Sequence, residues 1–485
     1  MHFVVKLFPE IIIKSAPVRK RFIKQLRDNL RRLINDRGYA AQVHSEWDKL
    51  DVLTADDDGV SAAGIERLLA TTPGIANFSR VAHHPLGDFD YIADLVWATY
   101  EERLTGATFC VRIKRTGKHA FNSVEAERQI GGRLLQRAAS AKVKLVDPEL
   151  TIRLDIRGEQ LYIVEQTTQG LGGFPLGTQE PVLSLISGGF DSSVATYLTM
   201  RRGLRSHFCF FNLGGRAHEL GVKEVAWYLW DKYGSSHRVK FITVPFESVV
   251  AEILTTVDNS QMGVVLKRMM FRAATEVAND WKVGALVTGE SIAQVSSQTL
   301  PNLAVIDSVT DLLTIRPLVT MDKNDIINIA RAIGTADFAA NMPEYCGVIS
   351  VKPTTRAKPE RIAREEEKFN FAVLEHAIAS RREENIDELM GNLADLPSVE
   401  VFSSPQPEMT ILDIRHPDEI MRKPLTAGAV AVEAVPFFTL QKSFKSLDQA
   451  HRYLLYCEKG VMSRLHAELL HEQGFQNLGV YRPSS

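Results

Sequence analysis

The sequence has few cysteines and no long uninterrupted apolar segment. Four cysteines among 485 residues are too few for a secreted disulfide framework. No apolar run approaches the roughly twenty residues that a membrane-spanning helix needs, and the N-terminal segment is interrupted by Lys6 and Pro9 and has no basic leader. A formal net charge of −2 gives no global nucleic-acid signal, so any basic surface must be local. These absences predict a cytoplasmic protein without a membrane partner.

Two common phosphate-binding patterns are missing as well. The chain contains no G-x-x-x-x-G-K-[ST] loop, and no G-x-G-x-x-G followed about twenty positions later by an acidic residue. Instead, the segment 187–192, Ser-Gly-Gly-Phe-Asp-Ser, follows an apolar strand at 182–186 and precedes a helix-compatible stretch at 193–198. Glycines allow a sharp turn, and the free amides of a helix N-terminus bind phosphate oxygens. The segment therefore predicts a phosphate loop, with a plain glycine-rich turn as the alternative.

Asp191 is the unusual member of this loop, because a carboxylate repels phosphates unless a Mg²⁺ ion or a reacting group needs it. Its presence favours nucleotide chemistry over simple anion binding. The pattern S-G-G-x-D-S resembles the pyrophosphate loop of ATP pyrophosphatases, which adenylate a substrate oxygen and release pyrophosphate. The resemblance implies that the chain uses ATP, together with Mg²⁺.

A basic helix is predicted near the N-terminus. Ser15 and Pro17 mark its start, and apolar residues recur on one face as far as about residue 35. The other face carries seven cations with only Asp28 opposing them: Arg19, Lys20, Arg21, Lys24, Arg27, Arg31 and Arg32. Such a concentrated patch favours a polyanionic partner over an ordinary solvated face.

A second basic segment, 109–119, alternates apolar and cationic residues, as expected of a strand with one buried and one positive face. Asn122 and Glu125 then form a capping-box pattern, and a hairpin is predicted between 151–156 and 161–164. Strand, capped helix and hairpin together resemble the THUMP domain of tRNA-modifying enzymes. The RNA-binding candidates of the two basic segments are Arg19, Lys20, Lys24, Arg27, Arg31, Arg112, Lys114 and Lys118.

A glycine-rich linker at 169–177 divides the chain. Strand and helix signals alternate after it, which predicts a doubly wound parallel sheet that a charged helical segment at 358–388 closes. The C-terminal part resembles a rhodanese domain, in its D-I-R-x-x-x-E box at 413–419 and in its cysteine loop at 457–464. We therefore expect an α/β multidomain protein. Its parts are a ferredoxin-like domain at 1–60, a THUMP RNA-binding domain at 61–168, a pyrophosphate-loop ATP-binding domain at 175–390 and a rhodanese domain at 400–485.

The four cysteines differ in their expected surroundings. Cys110 and Cys209 lie within apolar strands, so they are predicted to be buried and inert. Cys457 ends a strand and begins a tight loop before a helix, where backbone amides stabilise a thiolate or a persulfide anion. Tyrosine-phosphatase loops place arginine six residues after the cysteine, whereas Arg464 lies seven after it, which favours sulfur transfer. Cys346 lies in a loop between proline and glycine, and is either incidental or a thiol that resolves the persulfide.

The order of these parts, over essentially the whole chain, resembles the tRNA 4-thiouridine synthetase (tRNA uracil 4-sulfurtransferase) family of gammaproteobacterial type. Further matching segments lie at 266–270, 288–290, 294–299 and 319–323. The resemblance implies adenylation of the uracil O4 at position eight of tRNA, attack by a cysteine persulfide, and sulfur transfer to the carrier protein of thiazole synthesis for thiamine. It also implies three partners: tRNA, that carrier protein, and a cysteine desulfurase that donates the sulfur.

The resemblance implies roles for individual residues as well. Cys457 would carry the persulfide and form a disulfide with Cys346, while Asp191 and Lys323 would assist adenylation. No residue is assigned as a metal ligand. Contacts with ATP are expected from the loop and from three later positions: Leu185, Ile186, Ser187, Gly188, Gly189, Ser192, Lys267, Gly289 and Gln298.

Two alternative functions remain open. One is a sulfurtransferase that acts mainly on a protein sulfur carrier and uses ATP to adenylate a carboxylate. The basic helix and the THUMP-like strands argue against it. The other is a non-catalytic RNA-binding protein with vestigial enzyme domains, against which the intact Asp191, Cys346 and Cys457 argue.

Overall fold

The computed structural model describes the chain except residues 46–48, 55–58, 139, 214, 342–351, 390–398, 416, 429, 458–460 and 484–485. The chain forms two compact units. The first comprises Met1–Thr178 with Arg201–Gly203, and the second comprises Gln179–Met200 with Leu204–Ser485. Among the helices of the described ranges, none combines the length and the apolar character that a membrane crossing requires.

The first unit contains eight strands and five helices in its described residues. The strands are β1 (His2–Leu7), β2 (Ala41–Ser45), β3 (Lys49–Thr54), β4 (Ile75–Pro85), β5 (Thr108–Thr116), β6 (Lys142–Val143), β7 (Leu150–Arg157) and β8 (Gln160–Gln169). The helices are α1 (Pro9–Ile12), α2 (Ala16–Asp36), α3 (Gly59–Thr71), α4 (Phe89–Leu104) and α5 (Ser123–Arg137). All strands join one sheet in the order β2-β3-β1-β4-β8-β7-β5-β6. Among the strands that the structure describes, only β5 pairs in parallel, with β6 and β7.

Helix α2 confirms the predicted basic helix. Ser15 is its N-cap residue and a proline lies in its first turn, where the missing amide is not needed. Its apolar residues recur at helical spacing, and Ile23, Leu26, Leu30 and Ile34 are buried against the sheet. Phe22 is buried in a separate small cluster with Ile11 and Phe174. The predicted hairpin is also present, since β7 pairs antiparallel with β8. The Asn122 side chain accepts a hydrogen bond from the Glu125 amide and caps α5.

The second unit begins with a six-stranded sheet. Its strands are β9 (Val182–Leu185), β10 (Ser206–Asn212), β11 (Lys240–Pro245), β12 (Ala285–Val287), β13 (Leu313–Ile315) and β14 (Arg382–Asn385). Its helices are α6 (Phe190–Arg201), α7 (Gly215–Leu229), α8 (Glu247–Thr256), α9 (Met262–Asp280), α10 (Leu300–Asp307), α11 (Lys323–Ile333), α12 (Ala336–Asn341), α13 (Pro359–Glu366) and α14 (Phe371–Ala379). The strand order β13-β12-β9-β10-β11-β14 is parallel throughout except at β14. The expected doubly wound sheet is therefore confirmed, with one antiparallel edge strand.

The charged segment at 358–388 is not one helical closure, so that expectation is wrong. It forms α13, α14 and the edge strand β14, which pairs with β11. The Asn370 side chain caps α14 by accepting a hydrogen bond from the Ala372 amide. The strand arises because the open edge of the sheet offers backbone partners, and a charged sequence is tolerated on an edge where its side chains reach water.

A third, five-stranded sheet lies toward the C-terminus of the second unit. Its strands are β15 (Val401–Phe402), β16 (Thr410–Asp413), β17 (Ala431–Ala434), β18 (Tyr453–Tyr456) and β19 (Leu478–Tyr481), and its helices are α15 (Pro417–Arg422), α16 (Phe437–Phe444) and α17 (Val461–Glu472). The order is β15-β19-β18-β16-β17, and all pairs are parallel. A small α/β domain of this kind agrees with the expected rhodanese fold.

Candidate active site

The predicted phosphate loop joins the end of β9 to the start of α6. Gly188 has a φ of +80°, a left-handed conformation that glycine adopts without steric cost. The Ser187 amide donates to Ser192 Oγ at 3.2 Å, and Ser193 Oγ donates to the Gly189 carbonyl at 2.9 Å. These bonds hold the loop around the first turn of α6. The strand, turn and helix therefore form the geometry that binds phosphate at a helix N-terminus.

Asp191 and Lys323 are brought together, although 132 positions separate them. The Lys323 ammonium lies 2.7 Å from Asp191 Oδ1 and 2.9 Å from Oδ2. Gln294, to which the sequence analysis assigned no role, donates its Nε2 to Asp191 Oδ2 at 2.7 Å. Both carboxylate oxygens thus have protein donors. This arrangement suits Asp191 to hold Lys323 in place.

Gly289, just beyond β12, lies against the backbone of this loop. A Cβ at this position would lie 2.5 Å from the carbonyl carbon of Asp191 and 2.6 Å from the Ser192 nitrogen. No side chain fits in that space, so the close approach of the two backbones requires glycine. The predicted ATP-contacting residues Gly289 and Ser192 therefore meet in the structure.

Two other predicted ATP contacts come from separate elements. Lys267 lies on α9, and its ammonium is 3.0 Å from Glu290 Oε1. Gln298 is buried, and its side-chain oxygen has no hydrogen-bond partner among the described residues. A buried acceptor without a donor costs free energy, and a bound ligand with an N–H group would satisfy it. Leu185 and Ile186 lie where β9 enters the loop, half-buried and buried respectively.

His218, which the sequence analysis missed, lies on α7 beside the loop. Its ring is buried and donates a hydrogen bond to the backbone carbonyl of Ser187. Burial lowers the pKa of His218, and the hydrogen bond to Ser187 offsets only part of that effect. The ring of Phe210 packs edge-on against it, with centroids 4.9 Å apart. No local pattern indicates this role, because the contact joins two distant segments.

Cys457 is buried at the end of β18 and belongs to the core of its domain. The Ser463 amide, in the first turn of α17, donates to its sulfur at 3.3 Å, and Ser463 Oγ lies 3.5 Å from the same atom. A donor at a helix N-terminus stabilises a thiolate or persulfide anion, as the sequence predicted. Cys346 lies outside the described residues, so its disulfide with Cys457 stays a prediction.

The other two cysteines are buried in strands, which confirms that prediction. Cys110 is 3% exposed and Cys209 is fully buried. Burial raises the pKa of the Cys209 thiol to about 12. A thiol with so high a pKa is not a nucleophile at neutral pH.

The domain that holds Cys457 packs on the sheet domain through α7 and α12. His466 Nε2 of α17 lies 2.7 Å from Glu224 Oε1 of α7, and both side chains are buried. Burial raises the pKa of Glu224, and His466 opposes that shift. The rings of Phe338 and Phe437 also meet, with centroids 5.1 Å apart. The sulfur site and the phosphate loop thus belong to one packed unit.

The eight RNA-binding candidates are all in the first unit, but their cationic groups are not equally available. Arg31 donates twice to the Val43 carbonyl, and Arg27 pairs with Asp28 at 2.8 Å. Arg19 donates to the Ile12 carbonyl, and Arg112 to the Leu145 carbonyl. The four lysines among the candidates, by contrast, are exposed: Lys20, Lys24, Lys114 and Lys118.

A phosphate loop on a parallel sheet, joined to a cysteine loop on a second parallel sheet, defines an ATP pyrophosphatase-like domain with a rhodanese-like domain. Comparison with known families agrees. Matches are found to the Thiamine biosynthesis protein (ThiI) family over residues 177–371, the ThiI ferredoxin-like domain over 2–79, the THUMP domain over 88–164 and the Rhodanese-like domain over 399–484. The expected kinds of domain are confirmed, while their boundaries stay predictions.

Known proteins resemble the chain over its whole length. A tRNA sulfurtransferase of Saccharophagus degradans is 53% identical over 483 residues, and one of Pseudomonas aeruginosa is 54% identical over 484 residues, each match covering 100% of both chains. A solved 4-thiouridine synthetase–RNA complex with bound ATP matches with a TM-score of 0.70 and 25% identity, covering 79% of this chain and 99% of that one. The chain belongs to the tRNA sulfurtransferase family, and it is an enzyme.

Proposed function

We propose that this enzyme uses ATP to replace the O4 oxygen of uridine eight in tRNA with sulfur, forming 4-thiouridine. The observation that carries the proposal is the contact of Asp191 with Lys323 and Gln294 at the start of α6, where nucleotide phosphates bind. Cys457, with a donor already placed at its sulfur, supplies the second half of the chemistry from the same compact unit.

The first step is adenylation. The uracil O4 attacks the α-phosphorus of ATP, pyrophosphate leaves, and the oxygen becomes part of a good leaving group. The loop amides, Lys267 and Lys323 would bind the negative charge that develops on the phosphates. The contacts of the two lysines with Glu290 and Asp191 support these roles. Mg²⁺ bound to the phosphates would supply further positive charge there, and Asp191 keeps Lys323 extended toward the loop.

The second step is sulfur transfer. The terminal sulfur of the Cys457 persulfide attacks C4, and AMP leaves with the former O4. The Cys346 thiolate then attacks Cys457 Sγ, which releases 4-thiouridine and forms the Cys346–Cys457 disulfide. An external thiol reduces this disulfide, and a cysteine desulfurase reloads Cys457 with sulfur. Each turnover thereby consumes one ATP, one persulfide sulfur and two reducing electrons.

The first unit would hold the tRNA. Exposed lysines on α2 and on and just after β5 supply charge for phosphate contacts, and double-stranded RNA is recognised largely through its shape and backbone. The RNA bound in the related complex and the THUMP match support this role. The family name Thiamine biosynthesis protein also supports sulfur transfer from Cys457 to the carrier protein of thiazole synthesis.

The proposal is tested in a strain that lacks the enzyme, by measuring 4-thiouridine at position eight of purified tRNA by mass spectrometry. Wild-type protein should restore it, whereas Cys457→Ala should not. Cys110→Ala is the matched control, because that cysteine is buried on β5 of the first unit, whereas Cys457 belongs to the second. Full thiolation by Cys457→Ala would contradict the persulfide mechanism. Sulfur loading of the carrier protein without any tRNA thiolation would instead support the protein-carrier alternative.

A further inference from the structure

Three charged side chains meet beside Gly289, and we call them the Glu290 cluster: Lys267, Glu290 and Arg316. Glu290 Oε1 lies 3.0 Å from the Lys267 ammonium, and Oε2 lies 2.8 Å from Arg316 Nε. The carboxylate is 3% exposed. Thr288 Oγ1 also donates to Oε2, at 3.1 Å. Each carboxylate oxygen is therefore bonded to a different cation.

A buried carboxylate beside a phosphate-binding lysine needs an explanation. A negative charge repels the triphosphate, and burial alone would raise the pKa of Glu290 and favour its neutral form. Lys267 and Arg316 outweigh burial and hold this pKa below its usual value. Glu290 is thus kept ionised inside the protein, although its charge weakens the local attraction for ATP.

The elements explain how the cluster forms. Lys267 comes from α9, whereas Glu290 and Arg316 follow the parallel strands β12 and β13, whose carboxyl ends lie at one edge of the sheet. Arg316 is itself held from its other side by Asp307, at 2.6 and 2.8 Å. Glu290 thus connects a fixed arginine to a long, flexible lysine.

We propose that Glu290 is a positioning residue that fixes the Lys267 ammonium for the ATP phosphates, with Arg316 as its anchor. The inference rests on the proposed function, because it assumes that Lys267 binds ATP. A free lysine loses side-chain entropy when it engages a ligand, and a lysine already held in place loses less. The entropy saved by holding Lys267 in place outweighs the repulsion between the Glu290 carboxylate and the triphosphate.

The charge and positioning roles predict opposite results for Glu290→Gln. If Glu290 acted only through its charge, removing it would tighten ATP binding. If it positions Lys267, the dissociation constant for ATP should rise about 2- to 12-fold, as expected when one side chain must be ordered on binding. Glu290→Asp keeps the charge but shortens the side chain, so it should also weaken binding.

The experiment measures ATP binding to the full chain by calorimetry, without tRNA, alongside thermal unfolding. Asp280→Asn is the matched control, because it removes one negative charge at the far end of α9, where Asp280 pairs with Arg381, and leaves the Glu290 cluster intact. Its affinity should stay within about twofold of wild type. In a Lys267→Met background, Glu290→Gln should have no further effect, since the lysine to be positioned is gone.

The outcomes separate this inference from the proposed function. Absence of ATP binding by the folded wild type would overturn both. ATP binding by wild type that Lys267→Met weakens, with Glu290→Gln equal to wild type or tighter, would overturn the positioning role alone. The positioning role would also be overturned if Glu290→Gln lowered the affinity for ATP equally in the wild-type and Lys267→Met backgrounds. If Glu290→Gln does not fold, Glu290→Asp decides, because binding as tight as wild type would refute positioning.

Discussion

The contact between Gly289 and the phosphate loop gives a sharp test of the ATP site. Gly289→Ala adds one methyl group at a position where its carbon would lie 2.5 Å from the Asp191 carbonyl carbon. Real Cβ atoms essentially never come closer than 3.0 Å to such an atom, so the two backbones must separate by at least about half an ångström. The atoms in the way belong to backbone, which cannot rotate aside as a flexible side chain can.

The structure sets the size of the effect. Overpacking by one carbon typically costs about 1–3 kcal/mol. The loop can relieve the overlap by moving away from Gly289, but ATP binding in the original geometry must reverse that movement. Since 1.4 kcal/mol corresponds to a factor of ten, the dissociation constant for ATP should rise roughly 5- to 150-fold. Unfolding should be affected less, because the displaced loop removes most of the strain.

Gly284→Ala is the matched control, because a Cβ at Gly284 meets nothing within 4 Å and the residue directly precedes the same strand, β12. Calorimetric titration of ATP into both variants and wild type gives the comparison. Gly284→Ala should bind ATP as wild type does. If Gly289→Ala also bound ATP with unchanged affinity, either the loop would not hold the phosphates or it would tolerate displacement, and the reasoning would be refuted.

Two further predictions concern RNA binding and stability. Lys24→Gln should weaken tRNA binding and lower the salt slope of log Kd by roughly one, because one phosphate contact is lost. Lys445→Gln, an exposed change in the rhodanese-like domain, is the control, and an equal slope for the two variants would rule out a phosphate contact at Lys24. The Nε of the buried Arg268 lies 2.6 Å from the Glu366 carboxylate. Glu366→Gln should lower the free energy of unfolding at pH 7 by about 3–5 kcal/mol, because it leaves this arginine without its counter-charge. Burial raises the pKa of Glu366, but its bond to Arg268 outweighs that effect and the pKa lies below 4.5. Its stabilisation is therefore present above pH 4.5 and lost as the pH falls through the lowered pKa, so denaturant unfolding of Glu366→Gln should vary less with pH there. Equal pH profiles for variant and wild type would show that this pair does not control acid stability.

The phosphate loop was predictable because its information is local. A strand, two glycines and a helix start occupy consecutive residues, so their relative geometry follows from the chain itself. Roles for Asp191 and Lys323 in adenylation were expected only from family resemblance; that the two side chains meet was not predicted, and the structure shows it. The roles of Glu290 and Gln294 were missed, because their contacts depend on which strands are neighbours in the sheet. Strand order is a tertiary property that no local pattern encodes.

The same reason explains the error at 358–388. The segment is rich in charge, and charge alone does not separate a solvated helix from an edge strand. β14 forms because β11 leaves one edge of the sheet open, which is known only once the sheet exists. The number of cations on the basic helix also overstates how many are available to bind RNA, because Arg27 and Arg31 already have partners within the first unit.

One helix connects the two reactive centres of the second unit. At its N-terminal end, His218 of α7 donates to the Ser187 carbonyl in the phosphate loop. Two turns later Glu224 of the same helix binds His466 of α17, whose first turn places the Ser463 amide on the Cys457 sulfur. His218 and Glu224 are both buried, so displacing α7 would break two hydrogen bonds made by buried side chains. The phosphate loop and the domain that carries Cys457 thus both contact one helix, although Ser187 and Cys457 lie 270 positions apart in the sequence.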